Sequence, residues 1–311
     1  MERSRHVQSI GALARRWVRQ AGFEGWVLAS MREAVYFRAA GGQLMWVALP
    51  NHLPHQRAIL VEFDPSLAAV GSPVRTRGRC LVLDGLPDLA ISEAPCWSPP
   101  PVDPRRLLPW EELCRRVQSH VAQVIGAPDK RGLGHVLPLL AGGARELPGA
   151  DSGDPEMRHW EAIFPAASDV ILAGQTEGLD GVFEPAFKLI GLGPGLTPSG
   201  DDFVGGLLFA VQLLGRAYPE RVRRHLAGRN AFLERARTAT GQISCVILSD
   251  LVHGHAAKPM HTLLWALLHG EPPARALAAT EAITRIGHTS GWDMLAGVVS
   301  GMSLACARRA T

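Results

Sequence analysis

Two short segments hold the residues whose types and spacing could do chemistry. The first runs Gly191-Leu192-Gly193-Pro194-Gly195-Leu196-Thr197-Pro198-Ser199-Gly200-Asp201-Asp202 and leads into the apolar stretch Phe203 to Leu214. Alternating glycines permit positive φ and close backbone approach. The start of a helix then offers unpaired N–H groups and the positive end of its dipole. That combination can cradle a phosphate or carboxylate, so Gly193, Gly195, Thr197, Ser199 and Gly200 are candidate substrate-binding residues and Asp201 and Asp202 candidate catalytic ones. No Gly-Lys-Ser/Thr follows, and no clear strand precedes a G-x-G-x-x-G. Neither a Walker loop nor a dinucleotide fingerprint is therefore present, and no cofactor is expected.

The second segment repeats the pattern of the first. Ser290-Gly291-Trp292-Asp293-Met294-Leu295-Ala296-Gly297 matches Ser199-Gly200-Asp201-Asp202-Phe203-Val204-Gly205-Gly206 as Ser-Gly-x-Asp-x-x-x-Gly, with a threonine just before each copy. Gly206 and Gly297 stand about one turn beyond their aspartates, where a missing side chain lets two helices approach. The expectation is that both helix starts converge on one polar site, with Asp202 facing Asp293 and Thr289, Ser290 and Gly291 lining it. His288 sits at the same mouth as a proton acceptor. Independent capping is the alternative, with Thr197 and Pro198 as N-cap and first helical residue and Ser199 with Asp202 as a capping box. His253 and His255 flank Gly254 where a helix ends, a position the dipole explains, and without a third ligand they make no metal site.

Stepping outward, the elements that must position these residues change character along the chain. From Gly25 to Asp84, short apolar bursts alternate with turn signals such as Gly41-Gly42, Asp64-Pro65 and Gly71-Ser72-Pro73, which reads as antiparallel strands. Prolines crowd Ser92 to Pro109 and mark a linker. Beyond it, apolar residues recur at helical spacing over Trp110–Ile125 and in a series of helices from His159 to Ala307. The expected fold is α+β: an antiparallel β-rich barrel or sandwich over residues 1–105, which opens with an amphipathic helix over Met1–Gln20, and a mainly helical domain over residues 106–311.

Composition narrows the function. The 311 residues include 32 Lys plus Arg against 29 Asp plus Glu without strong clustering, so no nucleic-acid partner is expected. Five cysteines without a C-x-x-C pair fit a reduced, cytoplasmic setting and no cysteine metal site. No apolar run reaches the ~18 residues of a membrane span, and no signal peptide is evident.

The segments Gly191 to Gly206, His253-Gly254-His255 and Ile286-Gly287-His288-Thr289-Ser290-Gly291-Trp292-Asp293-Met294-Leu295-Ala296-Gly297 resemble the signature of the AllH-like family, over about Lys188 to Gly301. That family is named for a subunit of oxamate carbamoyltransferase. The resemblance implies movement of a carbamoyl group between carbamoyl phosphate and oxamate, giving oxalurate, in allantoin (purine) catabolism and in a complex with two other subunits. The Ser-Thr-Arg-Thr phosphate motif of ordinary carbamoyltransferases is absent. Two further readings stay open: a hydrolase holding a metal on Asp201, Asp202 and Asp293, and a non-catalytic assembly subunit.

Overall fold

The structure, a computed structural model, describes residues 5–143, 155–222 and 228–307. Its contacts divide the chain into two compact units, Met1–Pro100 with Ala256–Lys258, and Pro101–His255 with Pro259–Thr311.

The first unit is a nine-stranded sheet. Its strands are β1 (Arg5–Gly11), β2 (Glu24–Ser30), β3 (Ala34–Ala39), β4 (Leu44–Ala48), β5 (Ala58–Val61), β6 (Pro73–Arg77), β7 (Cys80–Leu83), β8 (Leu89–Ala90) and β9 (Cys96–Trp97). They lie in the order β5-β4-β3-β2-β6-β7-β8-β1-β9, and the sheet curls until β1 also pairs with β5. Val7, Ile10, Phe37, Val47, Ile59 and Leu81 fill the hollow of the curl as one apolar cluster. Trp46, Ala48 and Leu60 pack on a second, smaller cluster, so β4 is buried on both faces. That is why Leu44 to Ala48 reads as an unbroken apolar run and not as an alternation.

Three sequence expectations change here. The sheet is mixed, with β4 parallel to β5 and β1 parallel to β8 and β9. The expected N-terminal helix is a strand followed by a short helix, α1 (Ala12–Val18). Register with β5, Val7 opposite Val61 and Ile10 opposite Ile59, outweighs the helical propensity of residues that a lone segment would coil. Within the proline-rich stretch, Cys96 and Trp97 still form β9, at the edge of the sheet, where prolines are tolerated.

The second unit is helical among its described residues. It contains α2 (Trp110–Ile125), a 3-10 segment (Gly132–Ala141), α3 (Pro155–Glu177), α4 (Phe183–Leu189), α5 (Ser199–Ala217), α6 (Pro219–Val222), α7 (Arg229–Ala236), α8 (Gln242–Val252), α9 (Lys258–Leu268), α10 (Pro273–Thr284) and α11 (Ser290–Cys306). The helix read from the sequence as Glu220 to Ala227 runs past residue 222 into residues outside the described ones. α5 and α11 form the centre. Ser199 to Gly215 are all buried, a helix apolar on every side because other helices surround it. No described helix is long and apolar enough to cross a membrane.

Small residues allow α5 and α11 to meet backbone to backbone. A Cβ on Gly206 would strike the Met294 carbonyl oxygen, and one on Gly297 the Phe203 carbonyl oxygen. A Cβ on Gly301 would stand 2.5 Å from the Leu207 oxygen. Because the two first-turn aspartates lie one turn before these crossing points, the same glycines that permit the packing set the aspartates side by side.

Candidate functional site

The starts of α5 and α11 lie together. Thr197 Oγ1 and Ser290 Oγ are 3.4 Å apart, joining residues 93 positions apart in sequence. Beneath them are two carboxyl groups, Asp202 at 2% exposure and Asp293 fully buried. The capping box that the sequence offered as the alternative does not form. Pro198 is the N-cap of α5 and Thr289 that of α11, and neither makes a side-chain capping bond. The hydroxyls gather at the carboxyls instead: Ser290 and Thr197 favour the charged form of Asp202, and Ser199 and Thr289 that of Asp293. Each aspartate thus feels the serine of the other motif, which a lone helix cannot provide.

Leu133 completes the shell of Asp293, donating its backbone N–H to Oδ1 at 2.7 Å. Gly132 makes that approach possible. Its φ is +49°, and a Cβ there would overlap Asp293 Oδ1. The remaining oxygens, Oδ2 of Asp202 and Oδ2 of Asp293, are buried without a hydrogen-bond partner. Burial pushes Asp293 up to about 6 against the lowering effect of the Leu133, Ser199 and Thr289 donors. Burial, and then the neighbouring Asp293 charge, hold Asp202 well above the ordinary carboxylate range despite the Ser290 and Thr197 hydroxyls. The two carboxyls therefore resist ionising together, burial acting on both and the charge of Asp293 adding to the effect on Asp202.

Asp201, expected beside them, has a different task. Its Oδ1 accepts from the Gly191 N–H at 2.7 Å, and its Oδ2 from Ser244 Oγ at 2.5 Å and from Thr240 Oγ1. With three donors it ties the base of the glycine-rich loop to α8. The three-carboxylate cation site of the hydrolase reading is not formed, and no group of three or more metal-ligating side chains occurs among the described residues.

The glycines divide in the same way. Gly200 and Gly291 direct their N–H groups inward, to Leu192 O and Ile286 O, both at 2.9 Å. A Cβ on either would collide with a carbonyl at the end of the preceding helix, Leu189 or Ile283. The Ser-Gly of both motifs is therefore a packing requirement. Gly193 and Gly195 take φ of +120° and +93°, and residues 194–196 are exposed. His288 is exposed at the rim, two residues before α11. His253 closes α8, its Nδ1 lying 2.7 Å from Ser249 O.

An open cavity of about 700 Å³ adjoins this mouth, lined among others by Arg131, Glu281, Arg285, Gly287 and Trp292. Arg131 precedes the Gly132-Leu133 turn, and Gly287 precedes His288. Sequence reasoning missed Gly132, Leu133, Thr240 and Ser244. The pair Gly132 and Gly134, one residue apart, was the available signal, since a Cβ on Gly134 would stand 2.7 Å from the Trp292 ring.

What results is an exposed loop and hydroxyls from both motifs beside two buried carboxyl groups. No solved structure matches the chain. Residues 189–302, the segment that holds both motifs and the loop, match the family model described as oxamate carbamoyltransferase subunit AllH.

Proposed function

We propose that this chain is a subunit of an oxamate carbamoyltransferase-like enzyme and that the meeting point of α5 and α11 holds its reacting anions. The observation that carries the reading is the Thr197–Ser290 contact over the Asp202–Asp293 pair. Together with the matched family, it supports a site for carbamoyl phosphate and for oxamate or oxalurate. In the forward direction the oxamate nitrogen attacks the carbamoyl carbon, the bond from that carbon to the phosphate oxygen breaks, and one proton leaves the nitrogen.

Each part of the site has a role in that step. The Gly193 to Thr197 loop and the two helix starts bring N–H groups and hydroxyls to the phosphate. Thr197, Ser290 and His288 face the substrates. Asp202 and Asp293 lie behind the hydroxyls, so they are positioning residues: they orient Thr197, Ser199, Thr289 and Ser290 and hold one proton in reserve. Asp201 fixes the loop. Arg131 and Arg285, lining the adjoining cavity, supply charge for the carboxylate of oxamate. Two further subunits complete the enzyme in this reading, and the pathway it serves is allantoin breakdown.

The test is phosphate release from carbamoyl phosphate, dependent on oxamate, by the chain assembled with its partner subunits. A Thr197→Val, Ser290→Ala double variant removes the hydroxyl layer and should lose about a hundredfold in turnover while still assembling. Full turnover by that assembled variant would place the reaction elsewhere. Turnover that appears with the partners alone would leave this chain an assembly subunit.

A further inference from the structure

At the far end of α5 the structure brings two guanidinium groups near one another, without a counter-charge among the described residues. Arg216 stands in the last turn of α5 and Arg229 in the first turn of α7. Arg229 Nη1 donates to Gln212 Oε1 at 2.8 Å, and Arg216 Nη2 donates to His253 O at 2.7 Å. Gly254 takes φ of +81°, and a Cβ there would lie 3.1 Å from Arg216 Nη1 and 3.3 Å from Gln212 Cγ. Arg216 and Gln212 therefore both crowd Gly254, where residue 254 leaves them room because it lacks a side chain, and Gln212 in turn carries Arg229.

Neutral oxygens satisfy each of them only in part. Among the described residues neither forms an ion pair, whereas nearby Arg221 and Arg235 are matched with Glu111 and Glu184. Arg229 Nε is buried with no hydrogen-bond partner. Arg216 is exposed at the surface, yet partial desolvation, and then the charge of Arg229, press its guanidinium below its usual range. The sequence from Arg216 to Arg229 adds to the imbalance, with five arginines against one glutamate. Arg216 alone would serve as a cap for the carbonyl end of α8. A cap does not call for a second guanidinium beside it, nor for a buried N–H left open.

We propose that Arg216 and Arg229 form a second anion site, for a small oxyanion of the phosphate class. Two planar forks that converge with one N–H unused match the several acceptor oxygens of such an anion, which would also relieve their mutual repulsion. Fourteen residues of α5 separate Arg216 from Asp202, about 21 Å at ~1.5 Å per residue, so one small ligand cannot span both places. The inference does not rest on the proposed reaction.

Inorganic phosphate is the probe, titrated into the full chain at constant ionic strength with chloride as the reference, and thermal unfolding and calorimetric binding are followed. The Thr197→Val, Ser290→Ala variant isolates the arginine site from the helix starts. In that background a saturable phosphate response should remain, and Arg229→Met or Arg216→Met should abolish it. Arg229→Lys keeps the charge but loses the fork, and should weaken phosphate at least about tenfold, as expected for a lost charged hydrogen bond. With chloride alone, Arg229→Met should unfold close to its parent, since removing a repulsion and an unpaired N–H offsets the lost bond to Gln212. A phosphate response that survives both methionine substitutions, one that chloride reproduces, or one lost in the hydroxyl variant would overturn the assignment.

Discussion

Replacing Asp293 by asparagine should stabilise the protein at neutral pH and remove part of its pH dependence. Asp293 ionises at 3.8 in its ordinary environment and at about 6 in the folded protein. Between those values the unfolded chain has released its proton and the folded chain has not. Stability therefore falls as pH rises through that window and is level above it. The full interval corresponds to about 3 kcal/mol at ~1.36 kcal/mol per pH unit, of which about 2 kcal/mol lies above pH 4.5. Asparagine does not titrate. Its Oδ1 can still accept from the Leu133 N–H, and its amide puts a donor where Oδ2 has no partner, next to Asp202. Urea unfolding followed by tryptophan fluorescence at pH 4.5 and pH 8 gives the stability of each protein. The advantage of Asp293→Asn over the parent should widen by about 2 kcal/mol between the two conditions. An advantage that stays flat or shrinks as pH rises would mean that burial does not raise Asp293, and the desolvated character of the pair would have to be abandoned.

Asp202→Asn should fold as well as the parent but lower oxamate-dependent phosphate release by about a hundredfold, because the amide keeps the shape and loses the proton; undiminished turnover in the assembled enzyme would remove the pair from the reaction. Gly297→Ala should cost about 3 kcal/mol or more by overpacking two backbones that have no rotamer to yield, and a loss within about 1 kcal/mol in urea unfolding would show the crossing to be looser than described. Ser244→Ala takes one donor from the buried Asp201 carboxylate and should destabilise by about 1–3 kcal/mol. Hydrogen exchange should then quicken at the Gly191 N–H, and unchanged exchange there would argue against the loop being tied through Asp201.

The sequence by itself determined the local elements and the two motifs. Periodicity carries through because burial of one face is written in residue order: Leu113, Val117, Val121 and Val124 lie on one face of α2, and the apolar bursts between Gly25 and Asp84 became strands. The repeat Ser-Gly-x-Asp-x-x-x-Gly was legible because each of its glycines answers a close approach that no other residue tolerates. Partners from elsewhere in the chain were not legible. Arg5 to Gly11 became a strand because β5 was there to pair with it, and β4 and β5 run parallel for reasons of sheet order that no local pattern encodes. Local spacing likewise made Asp201 and Asp202 equivalent neighbours and matched Ser199 with Asp202 as a capping box. Tertiary structure separated them, since successive side chains on a helix point about 100° apart. One of that pair meets α8 and the loop, and the other meets α11. The hydroxyls from both motifs, the Leu133 N–H and the desolvation that raises Asp202 and Asp293 exist only once α5, α11 and the Gly132 turn have closed on one another.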